Sequence, residues 1–96
     1  MIIFFGCTQT YGDFLIIIAV FSFGIIMWEV ITREELYPHL KFATQIGLKV
    51  SREGLRPPVP VDCPEAWAHL MTNCWAHDPQ FRPTFQQIVN YIDNHF

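Results

Sequence analysis

Cys74 and His77 stand three residues apart, a spacing at which a thiolate and an imidazole can share a zinc ion. A structural zinc needs four ligands. No second pair at ligand spacing follows, so these two residues predict no metal site. Lys49, Arg52 and Arg56 are the densest group of cations, but Glu53 sits among them and the net charge of the chain is −3. That pattern is solvated loop charge and argues against a nucleic-acid partner. Cys7, Cys63 and Cys74 are odd in number and form no CxxC pair. They argue against a disulfide framework and for a reducing, cytoplasmic compartment. His69 falls off the apolar stripe of its segment and is expected at the surface. No residue is identified as catalytic, cofactor-binding or metal-ligating.

The elements that would carry these residues are easier to read. With 51% hydrophobic and 16% charged residues in 96, the chain has more apolar surface than so small a domain readily hides. Residues 20–32, VFSFGIIMWEVIT, put large apolar groups on every face of a helix. Such a helix belongs in a core or in a membrane. From Phe14 to Trp28 there is no charge, and the apolar run reaches Ile31 only across Glu29. A single-pass membrane peptide anchored by Phe14 to Ile31 is therefore an alternative, although a bilayer span takes about twenty residues.

Three further helices follow. In residues 39–50, Phe42, Ile46 and Val50 recur every four positions, with Gly47 weakening the pattern. Residues 51–62 contain Pro57, Pro58 and Pro60 and must be an extended connector. Residues 64–75 follow, with Asp62 or Cys63 expected as cap, Pro64 at the first helical position, and Trp67, Leu70, Met71 and Cys74 as a buried stripe. The turn AHDPQFRP leads to Thr84, which with Gln87 forms a capping box. In that last helix Phe85, Ile88, Val89 and Ile92 make an apolar stripe, extended by Phe96. There is no strand alternation and no internal repeat. The fold class is all-α: a central hydrophobic helix and three others joined by proline-rich loops.

Three segments stand in fixed order: SFGIIMWEV from Ser22, EGLRPPVP from Glu53, and CPEAWAHLMTNCWAHDPQFRPTF from Cys63. Together they resemble the C-terminal part of the large lobe of a protein kinase catalytic domain, of the tyrosine-kinase and tyrosine-kinase-like type. The resemblance implies that residues 20–32 are the central helix of that lobe and that Trp28, Cys74, Trp75, Asp78, Pro79, Arg82, Pro83 and Phe85 are structural-motif residues. Trp75 and Phe85 would wedge the last two helices together, and Pro79 and Pro83 would fix the turn between them. The residue matching Arg82 pairs in this family with the glutamate of an Ala-Pro-Glu motif. That motif is absent here, so Arg82 is expected to lack its usual partner and to lie at least partly in water. The segment 39–56, with Phe42, Ile46 and Arg56, is similar to a region that faces partners and is a candidate protein-binding surface.

The departures limit the implied activity. Phosphoryl transfer needs a glycine-rich phosphate cover, a lysine, a catalytic-loop aspartate and asparagine, and a metal-binding Asp-Phe-Gly. None of these occurs in the sequence. The parent activity implied is ATP-dependent phosphorylation of protein Ser, Thr or Tyr. This stretch is expected to be inactive alone, with no cofactor of its own, although ATP and magnesium serve the full-length family. Residues 1–19 match no family motif, Ala19 standing where an aspartate is usual, and are expected to be a non-family apolar leader, either the translated end of an intron or a backward extension of the central helix. Exposed apolar helix faces would favour self-association.

Overall fold

A computed structural model describes residues 11–40 and 42–96, with side chains from residue 15 onward. Among the described residues the architecture is all-helical: α1 (Tyr11–Thr32), α2 (Ala43–Arg52), α3 (Glu65–Cys74) and α4 (Phe85–His95), with a 3-10 turn at Pro79–Phe81 before α4. α1 runs unbroken through the boundary at residue 20, so the apolar segment 11–19 extends the central helix backward. Residues 1–10 of the expected leader lie outside the described residues.

α1 packs on α3, and α4 also contacts α3. Val20, Met27 and Trp28 supply the α1 side of the core, facing Leu70, Met71, Cys74 and Trp75, with Ile88 added from α4. Burial on α1 is one-sided. Leu15, Ile16, Ile18, Ile26 and Val30 are all exposed, Val30 at 58%. The expectation of a helix buried on every face is therefore met on one face only.

Polar atoms of aromatic side chains fasten the elements to one another. Trp67 Nε1 donates to Met27 O on α1 at 3.2 Å. Tyr91 Oη donates to Ala66 O at 3.1 Å, tying α4 to α3. Trp28 Nε1 donates to Pro58 O at 2.8 Å and pins the proline-rich connector to the central helix.

The stops and starts differ in detail from the sequence reading. α1 ends at Arg33, which sits at φ 57 in the left-handed region while its N–H still reaches Glu29 O at 2.8 Å. Glycine usually fills that position, and a larger residue there costs about 1–2 kcal/mol. α2 starts at Ala43 and not near His39, because the 37–40 turn closes Leu40 N on Tyr37 O and Phe42 is extended. Gly54, at φ 71, ends it, with Leu55 N returning to Lys49 O at 3.0 Å. Pro64 flanks α3 with extended ψ and no side-chain cap, so neither Asp62 nor Cys63 caps the helix.

Thr84 does what the sequence promises. Its Oγ1 accepts from Gln87 N at 3.1 Å, and Gln87 Oε1 accepts from Thr84 N at 2.8 Å. Thr84→Ala is expected to cost about 1 kcal/mol through the lost cap. A drop in urea midpoint with unchanged slope checks this. In α4 the expected apolar stripe is thinner than drawn. Ile88 is buried, whereas Phe85, Val89 and Phe96 are exposed at 41%, 50% and 56%.

Candidate functional site

The residues with chemistry to offer gather where α1, the end of α2 and the 76–82 turn meet. The turn is built first. Asp78 Oδ1 accepts from Gln80 N at 2.9 Å, Pro79 is buried at the head of the 3-10 turn, and Arg82 N returns to Pro79 O. Pro83 then holds the chain extended up to the Thr84 cap. This geometry sends the Arg82 side chain back across the turn. Its Nε donates to Ala76 O at 2.9 Å and its Nη1 to Ile17 O of α1 at 3.3 Å.

Arg56 arrives from the connector and does the same from the other direction. Its Nε donates to Trp75 O at 2.8 Å, and its Nη1 donates to Leu55 O and Val50 O. Both guanidiniums lie against one aromatic ring, Phe21, with their carbons 4.8 Å (Arg56) and 4.9 Å (Arg82) from its centroid. A cation against a ring face gains about 0.5–2 kcal/mol. Burial lowers the pKa of each arginine. The Arg56 charge lowers Arg82 further, while Asp78 acts the other way. Arginine nevertheless stays protonated throughout the physiological range. Phe21, Val50, Ser51, Arg56, His77 and Arg82 line a cavity of about 130 Å³.

No carboxylate pairs with Arg82 among the described residues, where the ion pair present is Lys49–Glu53 at 3.6 Å. Arg82 is half-buried, and main-chain carbonyls and the Phe21 ring stand in for an acid. That arrangement satisfies the group without the several-kcal/mol cost of an isolated buried charge.

The other sequence candidates separate. Trp28, Cys74 and Trp75 are core residues. The Phe85 ring meets Phe23 of α1 edge-on, centroids 6.4 Å apart. Phe42 is 68% exposed just ahead of α2, while Ile46 turns inward to an apolar groove of about 320 Å³ lined also by Phe21, Ile25, Leu36, Tyr37 and Val50. Arg56 lines the neighbouring cavity of about 130 Å³, which shares Phe21 and Val50 with that groove. Cys74 is fully buried, and burial pushes its thiol up to about 11. It remains a protonated core thiol at neutral pH, while His77 is exposed. No cluster of three His, Cys, Asp or Glu occurs among the described residues. His69 is exposed, as expected, and stacks on Tyr91.

Phe21 is the site residue that sequence reasoning missed, and His77, weighed there only as a zinc ligand, lines the cavity instead. Phe21 sits in an unbroken apolar run, where nothing marks one aromatic as a platform. Arg56 and Arg82 are far apart in sequence, and only the fold brings them to one ring.

Comparison with known proteins agrees with this architecture. Residues 9–92 match the profile of the family described as protein tyrosine and serine/threonine kinase. Relatives include Ephrin type-A receptor 5 of Rattus norvegicus, 45% identical over 74 residues, covering 77% of this chain and 7% of that protein. Ephrin type-A receptor 3 of Danio rerio is 43% identical over 84 residues, covering 88% of this chain and 8% of that protein. Dual specificity protein kinase shkA of Dictyostelium discoideum is 35% identical over 74 residues, covering 77% and 14%. The chain thus spans a small fraction of the length of each of these relatives.

Proposed function

The chain belongs to the protein tyrosine and serine/threonine kinase family, and from that premise we propose that it is the C-terminal part of a kinase large lobe, serving as a scaffold without phosphoryl-transfer chemistry of its own. In the whole protein the activity would be ATP-dependent phosphorylation of protein hydroxyl groups, the reaction named by the relatives that are called kinases. The observation that carries the reading is the half-dressed central helix. One face of α1 is packed by α3, and the opposite face presents Leu15, Ile18, Ile26 and Val30 to solvent. A helix so apolar needs cover on that face too, and the remainder of a large lobe would supply it. The segment Leu15–Thr32 is also long and apolar enough to cross a membrane. The packing of Val20, Met27 and Trp28 against α3 favours the core role.

The residues present do not fit ATP and magnesium. The sequence has no glycine-rich phosphate loop, no His-Arg-Asp and no Asp-Phe-Gly, and the two cavities that Phe21 lines offer arginines on an aromatic ring and a mainly apolar groove. In the full-length family ATP and magnesium would be held by other segments. Arg82, with no acid among the described residues, is the group that would receive the glutamate of the Ala-Pro-Glu motif.

A second reading has support from α2. That helix buries no residue, and it leaves Phe42 exposed beside the apolar groove, as a helix facing a protein partner would. The first reading is tested by supplying the purified chain with ATP labelled in its γ-phosphate and a general protein acceptor. Incorporation is expected to equal the blank without protein. Label transferred above that blank, and abolished by denaturing the chain, would overturn the scaffold reading.

A further inference from the structure

All six Lys and Arg residues lie within 33–56 or at 82, whereas 57–81 and 83–96 contain none and carry Asp62, Glu65, Asp78 and Asp93. α3 and α4 are therefore helices with acidic side chains and no Lys or Arg. Where the start of α3 meets the end of α4, two cavities lie side by side and share Ala66 and His95. The first, of about 300 Å³, carries the polar groups and is completed by Glu65, His69 and Tyr91. The second, of about 240 Å³, is mainly apolar and is completed by Pro64, Trp67 and Phe96.

The rings that line this crevice are held in place. His69 and His95 are each nearly parallel to Tyr91, at interplanar angles of 24° and 14° and centroid distances of 5.7 Å and 4.0 Å. Tyr91 Oη donates to Ala66 O at 3.1 Å, and His95 Nδ1 donates to Tyr91 O at 3.0 Å. Trp67 stacks on Phe96, centroids 5.8 Å apart, while its Nε1 donates to Met27 O. Glu65, His69 and His95 are not grouped to hold a metal ion, since no such group of three occurs among the described residues. A stack of flat rings beside a carboxylate suits a flat cation instead. A guanidinium lies against a ring face while its edge pairs with an acid, which a lysine ammonium cannot do.

We propose that the crevice between the start of α3 and the end of α4 docks a segment of a partner protein in which an arginine stands beside a bulky apolar residue. The guanidinium lies on the His–Tyr stack with its edge toward Glu65. The apolar neighbour enters the half lined by Pro64, Trp67 and Phe96. The lack of any Lys or Arg in either helix selects a cationic ligand over an anionic one. The crevice lies at the end of α3 away from the 76–82 turn and is independent of the scaffold reading.

The test titrates the full chain with three capped dipeptides. They are acetyl-Arg-Leu-amide, its citrulline analogue, which keeps the shape of the arginine without its charge, and acetyl-Arg-Gly-amide. The readout is the indole N–H signal of each tryptophan in nitrogen-edited NMR. Trp67 lines the crevice, and the core residues Trp28 and Trp75 are internal controls. The Arg-Leu peptide is expected to move the Trp67 signal along a saturating curve while the other two stay in place. The citrulline analogue should bind about tenfold more weakly for want of the charged pair, and the glycine analogue about tenfold more weakly for want of apolar burial. Glu65 is exposed, and Glu65→Gln should weaken the Arg-Leu peptide about tenfold and leave the citrulline analogue unchanged. No saturation, equal binding of the citrulline analogue, or three tryptophan signals that move together overturns the site. Equal binding of the glycine analogue, or a Glu65→Gln chain that binds as the parent does, overturns its two-part form. The kinase-lobe reading stands under each of these outcomes, because it rests on α1 and on the family.

Discussion

Gly24→Leu is expected to prevent folding, and Gly24→Ala to lower stability by about 1–3 kcal/mol through overpacking. Gly24 is the point of closest approach between α1 and α3. A Cβ built there falls 2.9 Å from Cys74 Cβ and 2.9 Å from Met71 O, with Trp75 N at 3.4 Å. Two of those three atoms are main chain, and the third is the Cβ of a fully buried residue, so none can swing aside. Accommodating even one methyl means separating the helices, which loosens Met71 and Cys74, both fully buried, and Trp28 beside them. Alanine is the better helix former by about 1 kcal/mol, so the measured loss is net of that gain. Gly47 in α2 is the internal control, since nothing lies within 4 Å of its added Cβ. Gly47→Ala should stabilise by up to about 1 kcal/mol. Urea unfolding followed by helical circular dichroism gives both numbers. A Gly24→Ala chain that unfolds at or above the parent midpoint would show that α1 and α3 are not in close contact there.

Why Gly24 was not singled out from the sequence illustrates where such reading stops. The α3 stripe of Leu70, Met71 and Cys74 was legible because polar residues interrupt it and leave a 3.6-residue period. α1 has no such interruption. Its buried residues, Val20, Gly24, Met27 and Trp28, follow helical spacing, but equally apolar neighbours at Ile26 and Val30 hide the pattern. The buried face can be chosen only by what packs on it. The Thr84 box was legible because both partners lie within four residues. The end of α1 was not, since Arg33 adopts a left-handed conformation that sequence rules reserve for glycine or asparagine. Phe85 was expected to help join the last two helices, and its contact with Phe23 of α1 was not foreseen, because a stripe along α4 does not say which neighbour it will meet. The kinase-like motif was read in full. The Phe21 platform beneath its arginine was not, for the same reason that Gly24 was not.

Trp28→Ala is expected to cost about 3–5 kcal/mol, a large share of the roughly 5–15 kcal/mol that a domain has in all. Trp28 is 3% exposed and serves two elements at once. Its ring fills the core beside Met27 and Met71, and its Nε1 donates to Pro58 O at 2.8 Å. The second role matters because the connector has few ways of its own to hold on. Pro57, Pro58 and Pro60 supply no main-chain N–H, so this segment is fastened through its carbonyls and through the Arg56 side chain, whose Nε donates to Trp75 O at 2.8 Å. Tyr37 Oη donates to Leu55 O at 3.3 Å, a longer bond than that of Trp28. Trp28→Phe separates the roles. Phenylalanine keeps most of the apolar volume but removes the donor, leaving Pro58 O unpaired at a cost of about 1–3 kcal/mol. Helix content in that variant should match the parent, whereas limited proteolysis within residues 59–62, where Val59 and Val61 are already exposed, should accelerate. If Trp28→Phe resists proteolysis as the parent does, the connector is held by something other than this hydrogen bond. If Trp28→Ala unfolds within about 1 kcal/mol of the parent, well short of the loss for a filled core position, the core of this half-lobe does not rest on α1.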